Sequence, residues 1–233
     1  MLAFTVFSCG AAVMVLEIVG ARLLAPFLGT SIVVWTGLIG VVMAALALGY
    51  WQGGRLADRR PDPKVLARII LLAALFAAAT AATKALLLDF LVTRGLGPRM
   101  GVIAAALLLF APAAGLLGMV SPFAVRLSLE QTADAGKTAG RLYALSTCGS
   151  IVGTFAAGFI LVAALGSTAI LLVTAGFLVA VSLAASRAEI KAKAAAAGLV
   201  ALAGLWLHAQ DAFLAEAGIH DVDTPYGRVL VYQ

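Results

Sequence analysis

Two charged residues stand inside the first apolar segment of this chain. Glu17 falls deep in the run from residue 2 to residue 24, and Arg22 falls near its far end. A charge within a membrane-spanning helix is costly, and it usually faces protein, pairs with another charge or serves a substrate or proton. Spacings of three or four residues put two side chains on one helix face, whereas these two are five apart. A structural pairing with other helices and a binding or transport site both stay open, and Arg22 can also extend to the interface.

A second polar cluster follows the second apolar run. The sequence Gly-Tyr-Trp-Gln-Gly-Gly-Arg-Leu-Ala-Asp-Arg occupies residues 49–59 and includes Tyr50, a candidate polar side chain. Glycines let helices approach closely and let the chain turn sharply. Asp58 can cap a helix or pair with Arg55 or Arg59. We expect this segment to be a loop whose charges either anchor a rigid turn or form a conformational latch between two spans.

The fifth apolar run is dense in small residues. Gly149 and Gly153 form a GxxxG pattern, and Gly158 continues the small-residue face. This spacing is typical of tightly packed membrane helices, so we predict a helix-packing role for the three glycines. A polar cavity is the alternative, and its candidate lining residues are Ser146, Thr147 and Ser150.

No residue pattern in the chain predicts a catalytic site, a metal site or a cofactor. His208 and His220 are isolated, and metal ligation would need a second ligand from elsewhere. Cys9 and Cys148 both lie within apolar runs and form no CxxC pair, so we expect each to act as a small buried hydrophobe.

The elements that carry these residues follow from composition. Hydrophobic residues make up 63% of the chain and charged residues 12%, against about 45–50% and about 25% in soluble domains. Such a chain needs lipid as its solvent. Seven apolar runs have the roughly 17–25 residues that a membrane-spanning helix requires, and they fall at 2–24, 31–53, 67–88, 100–120, 140–165, 167–186 and 194–210. The prediction is an all-α polytopic bundle over residues 1–210, with a tail over 211–233.

The segments between these runs should differ in kind. We expect a polar loop over residues 53–64, an end to the fourth span at Ser121-Pro122, and a short amphipathic surface helix over residues 126–139. Residues 226–232 read as a turn and a strand, and a single strand needs a partner from elsewhere.

The basic residues predict the orientation. With the N-terminus in the cytoplasm, five basic residues fall outside: Arg22, Lys84, Arg94, Arg99 and Arg228. Eleven fall inside: Arg55, Arg59, Arg60, Lys64, Arg68, Arg126, Lys137, Arg141, Arg187, Lys191 and Lys193. Cytoplasmic loops of membrane proteins carry this excess. The net charge of +5 therefore reflects membrane topology, and we expect no nucleic-acid partner. We predict a multi-pass protein of the plasma (inner) membrane, with seven spans leaving the tail outside.

Several of these stretches resemble a known family. The run Leu-Glu-Ile-Val-Gly-Ala-Arg-Leu-Leu-Ala-Pro-Phe-Leu-Gly-Thr-Ser at 16–31, the segment 49–59 and the Gly-Arg-Leu-Tyr-Ala-Leu-Ser at 140–146 look like the membrane domain of fused spermidine-synthase-like proteins. The Gly-Arg-Leu-Ala-Asp-Arg at 54–59 also resembles a loop motif of the major facilitator superfamily, where it acts as a gating latch. Residues 223–232 are similar to the strand that opens the family's aminopropyltransferase-like domain, whose nucleotide loop and catalytic acids have no counterpart in these residues.

Three functional hypotheses follow. The first is an accessory or anchoring membrane subunit with a protein partner or a homo-oligomeric state and no catalytic site of its own. The second is a facilitator-like transporter module for a small cation or a polyamine. The third, which the resemblance implies, is the membrane part of an aminopropyltransferase.

Overall fold

Over the residues that the structure describes, the fold is an all-α bundle with seven helices long and apolar enough to cross a membrane. The structure is a computed structural model, and it describes residues 1–129, 135–216, 219–224 and 227–232. The predicted fold class is confirmed, and so is a multi-pass membrane protein. The helices are long because Ala and Leu, both strong helix formers, fill these apolar runs. A segment surrounded by lipid must also satisfy its backbone hydrogen bonds internally, and a helix does so.

The helix bounds extend beyond the apolar runs. In chain order the helices are α1 (Leu2–Leu28), α2 (Ile32–Arg59), α3 (Pro63–Thr93), α4 (Pro98–Leu109), α5 (Ala111–Gly118), α6 (Val120–Leu129), α7 (Ala135–Phe155), α8 (Val162–Ala164), α9 (Ser167–Ala185) and α10 (Ile190–Glu216). A π-helical segment, Ala156–Leu161, joins α7 to α8. Spans one, two and three are α1, α2 and α3. Span four is α4 to α6, span five is α7 to α8, span six is α9 and span seven is α10.

The polar segment after the second span is helical, which corrects the predicted loop over residues 53–64. Helix α2 continues to Arg59 and so includes Gly53, Gly54 and Asp58. The chain turns only at residues 60–62, where Asp62 caps α3 by accepting a hydrogen bond from the Lys64 amide at 2.8 Å. The extension places the charges of this segment on a rigid helix end.

The fourth span does not end at Ser121-Pro122 as predicted, because α6 runs through Pro122 to Leu129. A proline lacks the amide proton of the helical hydrogen-bond ladder, and Pro112 and Pro122 fall just after the two short breaks that divide this span. No separate surface helix occurs over the described part of residues 126–139, where α6 ends and α7 begins. Residues 130–134 of that prediction lie outside the described residues.

The packing of the first six spans follows a repeated pattern. Span one packs on span five, span two on span four, and span three on span six; span one also contacts span six, and span three contacts span four. Exchanging spans one, two and three with four, five and six interchanges one–five with two–four and one–six with three–four, and it leaves three–six unchanged. The contact between spans one and three has no comparable counterpart between spans four and six. Spans one and four run in opposite directions because three crossings separate them. The five pairs named above, though not every helix contact, therefore follow the pattern of an inverted three-plus-three repeat.

The seventh span lies outside this pattern. Helix α10 packs on α9 and α3 and continues past residue 210 to Glu216. Beyond it, β1 (Ile219–Thr224) and β2 (Gly227–Tyr232) form an antiparallel pair in which Ile219 faces Tyr232 and Thr224 faces Gly227. The predicted strand thus pairs with the segment immediately before it. That segment was missed because His220, Asp221 and Asp223 interrupt its apolar residues.

Candidate functional site

Glu17 lies in the middle of α1, between two positions, Gly10 and Gly20, at which α1 contacts other helices. Two turns earlier, Gly10 lies against the backbone of Ser146 in α7. Three residues later, Gly20 lies against Phe110 after α4 and Leu38 in α2. Glu17 therefore lies between α7 on one side and the second and fourth spans on the other. Its side chain is half-buried, and it has no ion-pair partner among the residues that the structure describes.

Arg22 does not pair with Glu17. Its Nε donates to the hydroxyl of Ser167 at 3.5 Å, at the start of α9. At the same end of the bundle, the buried Lys84 of α3 donates from its Nζ to the hydroxyl of Thr168. The two cations of spans one and three thus meet the start of span six, and they tie three helices together at the predicted outer end.

The candidate polar residues of α7 divide between packing and exposure. The hydroxyl of Ser150 donates to the carbonyl oxygen of Gly10 at 3.2 Å, and Ser146 contacts Ser121 of α6 at 3.5 Å between hydroxyl oxygens. Thr147 is exposed and donates to the Tyr143 carbonyl one turn earlier at 3.0 Å. Ser146 and Ser150 therefore join α7 to its neighbours, whereas Thr147 makes its hydrogen bond within α7.

The glycines of α7 differ in the same way. A Cβ added at Gly149 would overlap the carbonyl oxygen of Phe7, and one at Gly153 would overlap the carbonyl oxygen of Ala11. The first and fifth spans therefore touch backbone to backbone. Gly158 differs from its predicted role in packing: it lies in the π-helical segment, is exposed, and has no atom within 4 Å of an added Cβ.

The predicted latch residues lie at the end of α2. The Asp58 carboxylate pairs with Nε of Arg126 in α6 at 3.3 Å, rather than with Arg55 or Arg59 as the sequence suggested. The guanidinium of Arg55 stacks 4.1 Å from the centre of the Trp51 ring, and Arg59 is exposed. The Asp58–Arg126 pair links the second span to the fourth, so the latch position connects two helices that also touch through Gly49 and Gly53.

Tyr50 lies on the exposed side of α2 and interacts electrostatically with Tyr143 of α7. Arg22 reaches Ser167 at the start of α9, whereas Thr147 is exposed on α7. The structure therefore does not bring the six candidate ligand residues together at one point.

A polar corner that the sequence did not predict fixes α10 to the bundle. Both carboxylate oxygens of Glu189 accept from Nε of Arg68 at 3.0 and 2.9 Å. This guanidinium holds the pKa of Glu189 below its ordinary value of 4.5. The buried Lys193 donates from Nζ to the carbonyl oxygens of Ser182 and Ser186, which end α9. Partners 121 residues apart leave no local signal in the sequence.

One shallow groove of about 260 Å³ opens between α2 and α5. It is mostly apolar, with Gln52 at its edge and Pro112 and Gly115 in its wall. A groove of this kind within the apolar span suits a hydrocarbon chain of the bilayer. Within the described residues, no three or more His, Cys, Asp or Glu side chains cluster where they could hold a metal ion.

Comparisons with family models, with curated proteins and with solved structures give no significant match to this chain. The resemblance to the membrane domain of spermidine-synthase-like proteins therefore stays a prediction. The chemically distinctive group of the site is the mid-span carboxylate of Glu17, which can bind a proton or a cation.

Proposed function

We propose that this chain is a facilitator-like membrane module that binds and moves a small cation. The observation that carries the proposal is the pairing of the first six spans as an inverted three-plus-three repeat. Such repeats build the halves of secondary transporters, in which substrate sites lie near the bilayer midplane at the repeat interface.

The position of Glu17 supports the same function. It lies in the middle of span one, on the side that faces spans two, four and five. An ionisable residue within a membrane span commonly marks an ion or proton pathway. A carboxylate selects for positive charge, so a cation is the substrate class. A polyamine is the specific candidate, and it follows from the family resemblance alone.

Uptake by proteoliposomes tests this function. Liposomes containing the purified full chain should accumulate labelled spermidine faster than empty liposomes, and Glu17→Gln should remove the difference. Asp89→Asn is the matched control, since Asp89 is an exposed carboxylate near the end of α3. Equal uptake by the Glu17→Gln variant and the unmodified chain, or no uptake of spermidine, sodium or protons by either, contradicts the proposal.

A second candidate function is a membrane anchor or accessory subunit. Helix α10 supports it, because it lies outside the repeat, is held by its own polar corner, and carries the β1–β2 hairpin. A two-stranded hairpin offers edges to which a partner's strand can add. The membrane part of an aminopropyltransferase is one form of this anchor.

Purification in mild detergent tests the anchor. A protein partner in constant ratio, lost when residues 217–233 are deleted, supports this function. A chain that purifies alone from its native membrane contradicts it.

A further inference from the structure

The groove between α2 and α5 exists because its walls carry small residues. Ala45 and Gly49 on α2 face Ala111 and Gly115 on α5, and they leave a space of about 260 Å³ that larger side chains would fill. A Cβ added at Gly49 would overlap the Gly115 carbonyl oxygen, so the two backbones touch beside this space. The exposed Leu48 also lines the groove, which therefore opens to the lipid around the helices.

One line of side chains on α2 connects the groove with the expected cytoplasmic end of the helix. Leu48, Gln52, Arg55 and Arg59 are four, three and four residues apart, which places them on one helix face. All four are exposed, and the first two line the groove. At 1.5 Å per residue, Arg55 lies about 4–5 Å and Arg59 about 10 Å beyond Gln52 along the helix axis. The two guanidiniums therefore follow directly after the groove.

Arg55 lies at the depth of the membrane interface. Its guanidinium is 4.1 Å from the centre of the exposed Trp51 ring, one turn closer to the groove. Tryptophan is enriched at the boundary between hydrocarbon and headgroups. The side chains of a helix also lean toward its N-terminus, which for Arg55 is the direction of the groove. A lipid phosphate at this boundary would lie beside the guanidinium.

Nearby carboxylates do not neutralise these arginines. Asp58 is the only acidic residue in α2, α5 and α6, and it pairs with Arg126 of α6 on the other wall. Arg59 has no ion-pair partner in the part of the chain that the structure describes. Basic pockets between membrane helices on the cytoplasmic side bind anionic lipid headgroups. The charge at the end of this groove thus complements a phosphate.

We propose that the groove and the arginines that follow it bind one anionic phospholipid of the inner leaflet. An acyl chain lies between α2 and α5, and the phosphate accepts hydrogen bonds from Arg55 and Arg59. The lipid contacts the second and fourth spans together, so it should strengthen the contact that the Asp58–Arg126 pair makes. The site is independent of Glu17 and of cation transport.

Lipid binding to the purified full chain tests the site. Native mass spectrometry should show one tightly bound dioleoyl phosphatidylglycerol and weaker binding of dioleoyl phosphatidylcholine. Phosphatidylglycerol should also raise the melting temperature more than phosphatidylcholine does. Arg55→Gln combined with Arg59→Gln should weaken phosphatidylglycerol binding by about tenfold or more. Equal binding of the two lipids, or undiminished binding by the double variant, overturns the proposal.

A control pair removes the same amount of charge elsewhere. Arg94 lies 4.7 Å from the centre of the Phe90 ring, as Arg55 lies over Trp51, and Lys191 is exposed near the start of α10. Arg94→Gln combined with Lys191→Gln should leave phosphatidylglycerol binding nearly unchanged. A loss equal to that of the first pair means that overall charge attracts the lipid, and it overturns the site.

Two further probes isolate the contribution of the headgroup. Arg55→Lys combined with Arg59→Lys keeps both charges and should keep most of the binding. Lysine variants that bind as weakly as the glutamine variants overturn the role of charge. Inorganic phosphate at the same concentration should not stabilise the chain, and stabilisation by phosphate alone indicates a site for a soluble anion and overturns the lipid assignment.

Filling the groove tests the position of the acyl chain. Ala111→Leu places an isobutyl group in the groove and should weaken phosphatidylglycerol binding although both arginines remain. Ala201→Leu makes the same change at an exposed position of α10 and should have no effect. Undiminished binding by Ala111→Leu overturns the groove as the acyl-chain site.

Discussion

At the scale of single residues, several charged side chains of this protein join one helix to another. Arg22 and Lys84 reach the start of α9, Arg126 reaches Asp58, and Arg68 reaches Glu189. Each contact connects different spans near an end of the bundle. Glu17 differs because it lies at mid-span, away from both sets of helix ends.

The ion pair of Glu189 should make stability depend on pH. Because Arg68 lowers the pKa of Glu189, the pair stabilises the folded protein above pH 4.5 and this contribution is lost as pH falls through the lowered pKa. Glu189→Gln should therefore lower the melting temperature near neutral pH and have no effect in strong acid. Thermal melts in detergent across this range measure it, with Asp89→Asn as the control. An effect of Glu189→Gln that is constant with pH contradicts the prediction.

Lys193 should matter far more than its neighbour Lys191. Its Nζ is buried and donates to two carbonyl oxygens at the end of α9, whereas Lys191 is exposed. Lys193→Met keeps the apolar stem and removes the donors, so we expect a loss of about 1.5–3 kcal/mol, as for hydrogen bonds from charged groups. Lys191→Met should change stability by less than about 0.5 kcal/mol. Unfolding in SDS titrations measures both, and equal effects contradict the assignment.

At the scale of elements, backbone contact between helices positions the site. Spans one and five touch at Gly149 and Gly153, and spans two and four touch at Gly49 and Gly118. Apolar burial gives membrane helices no preference for each other over lipid, so close van der Waals contact and interhelical hydrogen bonds provide the association. The bond from Ser150 to the Gly10 carbonyl is one such contact, and it fixes α7 beside the strip that carries Glu17.

Two glycines of the fifth span should respond oppositely to alanine. Gly149→Ala places a methyl group against the Phe7 carbonyl, so the helices must separate, at a cost of about 1–3 kcal/mol. Gly158→Ala meets no neighbour and should leave stability within about 0.5 kcal/mol of the unmodified protein. Both follow from the same unfolding titration. A Gly158→Ala variant as unstable as Gly149→Ala is the contrary result.

At the scale of the whole molecule, the polar contacts between helices form two groups, one at each end of the bundle. One end joins α2 to α6 and α3 to the α9–α10 junction, and it collects the segments with most basic residues. The other joins α1 and α3 to the start of α9. Since cytoplasmic segments carry the excess of Lys and Arg, the first end should be cytoplasmic.

Cysteine labelling tests this orientation. With Cys9 and Cys148 replaced by alanine, single cysteines are introduced as Ser31→Cys between spans one and two and as Lys64→Cys between spans two and three. A membrane-impermeant maleimide on intact cells should label the Ser31→Cys variant and reach the Lys64→Cys variant only after permeabilisation. The reverse pattern places the N-terminus outside.

The sequence by itself determined that lipid surrounds the helices, how many spans there are, and which glycines of α7 lie at the close contact between spans one and five. Hydropathy and length decide whether a helix crosses a bilayer, and both are local properties of a run such as residues 2–24. GxxxG spacing likewise fixes which face of α7 can approach another helix, and Gly149 and Gly153 lie at such a contact.

Only the tertiary structure decided which helices meet. Asp58 had Arg55 and Arg59 beside it in sequence, yet its partner is Arg126, because the close approach of α2 to the fourth span brings that guanidinium nearer. The pairing of Arg68 with Glu189, the capping of α9 by Lys193 and the pairing of residues 219–224 with the final strand arise in the same way. A side chain's sequence neighbours do not fix its spatial neighbours, because helix packing brings together residues more than a hundred positions apart.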